Sequence, residues 1–576
     1  MRPPLLFAAL SAVLLSSCFS PGDGLSPPLE SIYFPTGLAL DTPPDANPAD
    51  PNANKPDHLF IASSDFDLQY RASALASYSL EALEPLLPLQ CNTDADCARR
   101  AHTVCDSLSV MPTPTANPSF TCVDPATMDP CLTLGLTVRS AADQLYYPGR
   151  CNSIAPSKAN GVIADTVEIG AFATDLVYRN RPNATGDYIG RLFAPVRGDA
   201  TLHWIDINQG ALDCGQANSS DGGCDAHHRI GDDQDTESPN QLREEPEPFG
   251  IAIDDESINI AITNQTTGSV SLFVNHWDTA ADGYPELVSI VGGLPSAPVG
   301  VAALPTPVPQ PIGYETGFLV VYRDAAQVDL LRVNRSNPTD DSSSVDGTYY
   351  PRTLTRAGTT FITANSVGTD SRSIVIDNAA HAASYDACSA ASCTGLTDTD
   401  DDNHPLTDCL KTCTNAAPIP NVYVANRAPA SLLVGSFTPD PAYAAGSSEL
   451  PAFTDSVPLL LGPSRVILGK VRVASTAPGA TPDPSGSYVL EQRVFIVCFD
   501  SRKIFVYDPV RRLIEATVDT GRGPFAMAVD EARGRAYLAH FTDSYLGVIS
   551  LDQRFPQSYA AIVASVGVPS QPRASK

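Results

Sequence analysis

The chain has 576 residues, a formal net charge of −29 and a pI near 4.5. An acidic surface repels phosphate backbones and anionic lipid headgroups, which argues against a nucleic-acid role and reads as a solubility feature. With 43% hydrophobic and 18% charged residues the chain can bury a large core, while 51 prolines and 38 glycines demand many turns and few long helices.

Met1-Arg2 precedes a mostly apolar run from Leu5 to Leu15, then Ser16-Ser17-Cys18. One positive charge and a short apolar run are a signal-peptide layout, too short for a spanning helix. Leu15-Ser16-Ser17-Cys18 resembles the lipobox of bacterial lipoproteins. The resemblance implies that residues 1–17 are removed and that Cys18 carries diacylglycerol, a stable anchor at about 0.8 kcal/mol per buried CH₂. Phe19 and Ser20 follow, with no Asp beside the cysteine. By the sorting rule of enteric bacteria this implies an outer-membrane lipoprotein. Residues 18–30, with Ser20-Pro21-Gly22 and Ser26-Pro27-Pro28, form a short tether. No later stretch is apolar over the 18 or so residues that a spanning helix needs.

Residues 31–570 repeat one phrase. It opens at Phe34-Pro35-Thr36-Gly37-Leu38-Ala39-Leu40-Asp41, returns at Pro248-Phe249-Gly250-Ile251-Ala252-Ile253-Asp254, and closes at Gly523-Pro524-Phe525-Ala526-Met527-Ala528-Val529-Asp530. Weaker copies begin at Ala171, Pro298, Ser371 and Ser464, which makes seven units. Two short apolar runs follow each phrase, as in Ile258–Asn264 and Gly268–Phe273. This is the pattern of four-stranded propeller blades: small residues suit an inner strand at a crowded channel, and Asp opens a tight turn. Residues 560–566 are expected to form an outer strand of the last blade, which then meets the first.

Ile260-Ala261-Ile262-Thr263-Asn264 with Gly268-Ser269-Val270-Ser271, and Val422-Tyr423-Val424-Ala425-Asn426, resemble the YVTN family of seven-bladed β-propellers. The expected class is therefore all-β, a seven-bladed propeller interrupted by insertions at about 88–155, 207–245 and 380–420. The first of these is placed between blades 1 and 2.

The fourteen cysteines of an exported chain read as disulfides. Beyond Cys18 they fall in locally even groups: Cys91, Cys97, Cys105 and Cys122; Cys131 and Cys151; Cys214 and Cys224; Cys388, Cys393, Cys409 and Cys413. Cys131–Cys151 and Cys214–Cys224 are expected to close loops. Cys498 is left over, within the apolar run Val494–Phe499, and reads as a buried thiol. Zinc is the rival reading, but the spacings lack paired CxxC units with matching histidines.

Asp398, Asp400 and Asp402 alternate as in the first half of a calcium loop, without the Gly and Glu that complete one. Asp232, Asp233 and Asp235 form a weaker cluster, and His227-His228 beside Asp225 is a further metal candidate. Calcium is thus the cofactor to which the aspartates point, and a solvated acidic loop is the competing reading. No serine-nucleophile elbow, zinc-protease, phosphate-loop or haem motif is present. Lactonases resembling this family work at the channel mouth, where Asp65, Arg323, Asp324, Arg427, Asp500 and His540 follow second-strand phrases. The expectation is a lipid-anchored binding or scaffolding module for a protein or glycan partner. A lactonase-type hydrolase or lyase is the alternative.

Overall fold

The computed structural model describes residues 25–41, 55–99, 104–105, 121–144, 147–181, 189–219, 222–231, 242–277, 283–307, 316–335, 352–362, 370–398, 404–439, 450–474 and 488–569. Among these, no helix is long and apolar enough to cross a membrane. Cys18, Asp400, Asp402 and the 232–235 cluster lie outside the described residues.

Seven antiparallel sheets follow one another along the chain. Their innermost strands are Pro35–Leu40, Val177–Asn180, Pro248–Ile253, Pro298–Ala303, Ser371–Asp377, Pro463–Ala474 and Pro524–Asp530. Each innermost strand touches the next, and the last touches the first, so the ring closes. This is the seven-bladed propeller that the repeats imply, with blades starting where the repeated phrase starts or just after it. Blade 7 ends in Ala561–Val566, the outer strand expected at 560–566.

The core is built between blades rather than within them. One apolar cluster fills each of the seven interfaces, including the seam between blades 7 and 1. Period-two alternation explains this division, because successive side chains of a strand point to opposite faces. In blade 3, Ile260 and Ile262 pack toward blade 2, while Ala261 packs toward blade 4. Each fully buried aliphatic side chain contributes about 1.5–3 kcal/mol.

The Gly of the repeated phrase answers to space rather than to a turn. A Cβ on Gly37 would sit 2.6 Å from the Leu176 Cβ of blade 2, and one on Gly250 would sit 2.3 Å from the Val299 carbonyl oxygen of blade 4. Glycine is therefore required by close approach between neighbouring inner strands. The turn into the strand is made one step earlier, by left-handed residues such as Phe34 (φ 40°), Glu247 (φ 61°) and Ala297 (φ 55°). The Asp after the strand does cap the next turn: Asp254 accepts the Ile258 and Asn259 backbone N–H groups at 2.9 and 3.1 Å.

The first insertion sits elsewhere than expected. The outer strand of blade 1 is Ile163–Ile169, pairing with Ser73–Ser79, so residues 80–162 interrupt blade 1 between its third and fourth strands. The 380–420 insertion departs from the innermost strand of blade 5 and contains two helices, Ala379–Ser392 and Pro405–Ala416. All twelve grouped cysteines pair: 91–105, 97–122, 131–151, 214–224, 388–413 and 393–409. Cys498 is free and buried.

Candidate functional site

A blade that meanders antiparallel has two ends. At the near rim the inner strands begin and the second strands end; at the far rim the inner strands end and the third strands end. Every sequence candidate for a channel-mouth site lies at the near rim, because each follows a second strand.

Those candidates are engaged with their own or neighbouring loops. Asp65 is buried and accepts the Gln69 and Tyr70 backbone N–H groups at 3.1 and 3.2 Å. Asp324 accepts the Ser296 hydroxyl at 3.3 Å. Arg427 and Asp500 form an ion pair. His540 is fully buried with its ring stacked on Tyr545 at 4.1 Å, and its Nε2 accepts the Gly521 N–H at 3.2 Å. Burial pushes its imidazole down to about 3, so it is neutral at physiological pH. The backbone N–H of Arg323 donates to Ala297 at 3.0 Å. A general base needs its ring nitrogen within reach of a proton to take, and His540 is turned inward instead.

What the near rim does bring together was not foreseen. Arg465, at the start of blade 6, reaches past blades 7 and 1 to Asp175 of blade 2, Nη1 to Oδ2 2.7 Å. The pair crosses the mouth of the channel. Its guanidinium lies 5.1 Å from the centre of the Phe525 ring. Around it six phenylalanines from blades 6, 7, 1 and 2 gather on Phe541, which lies 5.3 Å from Phe34, 5.1 Å from Phe66 and 6.0 Å from Phe525. Phe499 and Phe172 complete the group at 6.4 Å from Phe541 and Phe66 respectively. Phe34 and Phe172 are left-handed residues leading into inner strands, which aims their rings at the axis. That periodic position was the only sequence signal for them.

The metal candidates have structural employment. Asp398 accepts the Leu406 and Thr407 N–H groups at 2.9 and 3.2 Å and the Thr407 hydroxyl at 2.7 Å, so it caps the helix Pro405–Ala416. Desolvation pushes its carboxyl up, but these bonds together outweigh it and hold the carboxyl below the usual range. His228 Nδ1 donates to the Asp225 carboxylate at 2.7 Å and the ring lies 4.0 Å from that of Trp204, while His227 packs on Tyr284. Among the described residues, the groups of three ligand-type side chains close enough to share an ion are cysteines already in disulfides.

The far rim is where two of the additions leave the propeller, although the first then runs along the seam to Ser565 and the Cys214–Cys224 segment lies on the outer edge of blade 2. The insertion of blade 1 leaves it after Ser79, and both helices of blade 5 rise from it after Asp377. The hairpin of blade 6 is also long, with strands Pro463–Ala474 and Tyr488–Cys498. A cavity of about 250 Å³ lies between the helix Ala379–Ser392 and the turn 304–307 of blade 4, lined by Tyr385, His381 and Phe437. The N-terminal segment, in contrast, joins at the near rim, where Leu25 bridges to Tyr70.

No protein-family model matches the chain, and no curated protein matches it. Among solved structures, a protein from Lactobacillus plantarum aligns with a TM-score of 0.38 at 10% identity, covering 87% of this chain and 88% of the other. A Bacteroides uniformis protein proposed to be a 6-phosphogluconolactonase aligns at 0.37 and 11%, covering 81% and 83%. No residue role passes from either to this chain.

Proposed function

We propose that the chain is a lipid-tethered binding module of the bacterial cell envelope that presents its far rim to a protein or glycan partner. The observation that carries this reading is the opposition of the two rims. The N-terminal segment packs against the near rim from residue 25 onward, its Leu25 carbonyl accepting the Arg71 N–H at 3.0 Å. With acyl chains on Cys18, the seven residues up to Leu25 span at most about 25 Å. The near rim then sits against the membrane, and the helices of blade 5 and the long hairpin of blade 6 point away from it. Disulfides and helices hold the insertions in shape around only small buried clusters, which suits a recognition surface. The Arg465–Asp175 pair and the phenylalanine cluster occupy the mouth where a lactonase-type site would sit, which favours binding over hydrolysis.

The test is site-specific photocrosslinking in intact cells. Probes at exposed far-rim positions Ile419 and Val510 are compared with probes at near-rim positions Phe66 and Leu461. A discrete adduct from the far-rim probes supports the reading. Adducts from the near rim alone, or from neither, overturn it.

A further inference from the structure

A second cavity, about 580 Å³, opens on the far rim between blade 6, blade 7 and the start of the first insertion. Three separate pieces of chain aim arginines into it. The long blade 6 hairpin carries Arg472 and Tyr488 there; the first turn of blade 7 supplies Arg533 and Arg535; the loop after its third strand supplies Arg554. Asp530 fixes the turn by accepting the Arg533 backbone N–H at 2.9 Å and its guanidinium at 2.9 Å. The guanidiniums of Arg472 and Arg554 lie 4.4 and 4.7 Å from the Tyr488 ring, which holds them in place.

This concentration of cations runs against the composition of a chain with net charge −29. Four arginines and Lys55 line the cavity against three acids, Glu84, Asp96 and Asp552. Asp96 turns one oxygen to the Asn92 and Thr93 N–H groups, Asp552 is held by Arg554, and Glu84 by Arg535 at 2.9 Å. With Asp530 on Arg533 counted as a fourth acid, the cations still outnumber the acids by one. Arg472 Nε and Arg533 Nη2 are buried with no hydrogen-bond acceptor, and the Arg533 side chain is only 5% exposed. Buried guanidinium donors without acceptors are uncommon in folded proteins, and an oxyanion satisfies them with matching fork geometry.

We propose that this cavity is an oxyanion site for a small ligand bearing a phosphate or carboxylate group, with the rest of the ligand filling the space beside Tyr488 and Phe555. The inference stands on the cavity alone and does not need the partner surface or the lipid anchor. The test is isothermal calorimetry on the mature chain at constant ionic strength set with chloride, using inorganic phosphate, glucuronate and glucose as probes. Saturable one-site binding of phosphate or glucuronate, absent with glucose, is the expected result; preference between the two assigns the head group. Arg535→Gln is expected to weaken it about tenfold. Lys55→Gln, an exposed position whose loss leaves the fold intact, is expected to weaken it about threefold, and Phe66→Ala at the opposite rim to leave it unchanged. No saturable binding of either anion, or binding that Lys55→Gln and Arg535→Gln both leave unchanged, overturns the proposal.

Discussion

Arg139 and Ser565 stand 426 residues apart and meet in the core of the seam, Nη2 to Oγ 2.7 Å. Arg139 belongs to the insertion of blade 1 and Ser565 to the last strand of blade 7. Each blade here is made of consecutive strands, so no strand is shared between the chain ends to lock the ring. The insertion does that work. Its Ile154 donates to the Ser565 carbonyl at 2.9 Å and accepts from Gly567 at 2.8 Å, covering the outer edge of the final sheet. Arg139 also donates to the Tyr147 and Pro148 carbonyls at 2.6 and 3.1 Å. Replacing it by Met would leave these buried acceptors unpaired. Arg139→Met is expected to lower stability by about 2–3 kcal/mol in urea unfolding, and Ser565→Ala by about 1 kcal/mol. Equal midpoints for wild type and Arg139→Met would show that the ring closes without the insertion.

The same seam gives the Cys131–Cys151 disulfide a global role. It closes a loop of sequence separation 20 that carries Arg139. Loop entropy alone assigns such a crosslink about 3 kcal/mol. The Cys214–Cys224 pair, of separation 10, staples only the outer edge of blade 2. Replacing both cysteines by Ser at 131 and 151 is expected to expose the final strand to amide exchange, whereas the 214/224 double variant alters exchange in blade 2 alone. Exchange that rises in blade 7 for both variants, or for neither, contradicts this division.

How much of this was legible in the sequence depends on distance along the chain. The inner strands were visible because Pro35–Leu40 and its copies combine a fixed phrase with small residues, and both features are local. The cysteine groups were nearly local too, although the pairing inside the two groups of four was open until the fold set it. The outer strand of blade 1 was not, since Ser73–Ser79 and Ile163–Ile169 are separated by the whole insertion and nothing local marks them as neighbours. The helices of blade 5 were hidden by a Cys- and Asp-rich composition that reads as loop, although Ala379–Ser392 is rich in alanine. Arg465 and Asp175 could not be paired at all before the ring closed, because they are 290 residues apart and share no repeat position.

That pair makes its own prediction. Both side chains are mostly shielded, at 20% and 15% exposure, so screening by solvent is partial. A double-mutant cycle with Arg465→Met and Asp175→Asn is expected to return a coupling of about 1–2 kcal/mol. The double variant should be closer to wild type than Asp175→Asn, which leaves the guanidinium over Phe525 without its carboxylate. Additive effects would mean that the pair is a bystander at the mouth.

Cys498 lies in the second strand of blade 6, wholly buried. Burial pushes its thiol up to about 12, so the reactive thiolate is scarce at neutral pH. In a chain lacking Cys18 and kept unreduced, a thiol reagent at pH 8 is expected to find no group in the folded protein and one after unfolding. Rapid labelling of the native protein would place Cys498 at an opening rather than in the core.

Glu244 is the sharpest source of pH dependence. It packs beside Gly231 and is 6% exposed, and burial pushes its carboxyl up to about 8 against weaker opposing contacts from Ser271 and Asn264. The folded state therefore holds this proton at pH values where the unfolded chain, with an ordinary carboxyl near 4.5, has released it. Stability must fall as pH rises from about 4.5 to 8, because the native state binds the extra proton throughout that window. Above it the native carboxylate sits charged in a dry site. Glu244→Gln keeps the shape and removes the titration. Its stability relative to wild type is expected to improve steadily across that window, with a gain on the order of a few kcal/mol at pH 9. The measurement is urea unfolding of both proteins at pH 5, 7 and 9. A constant difference at all three would mean that the Glu244 carboxyl titrates alike in the folded and unfolded chains.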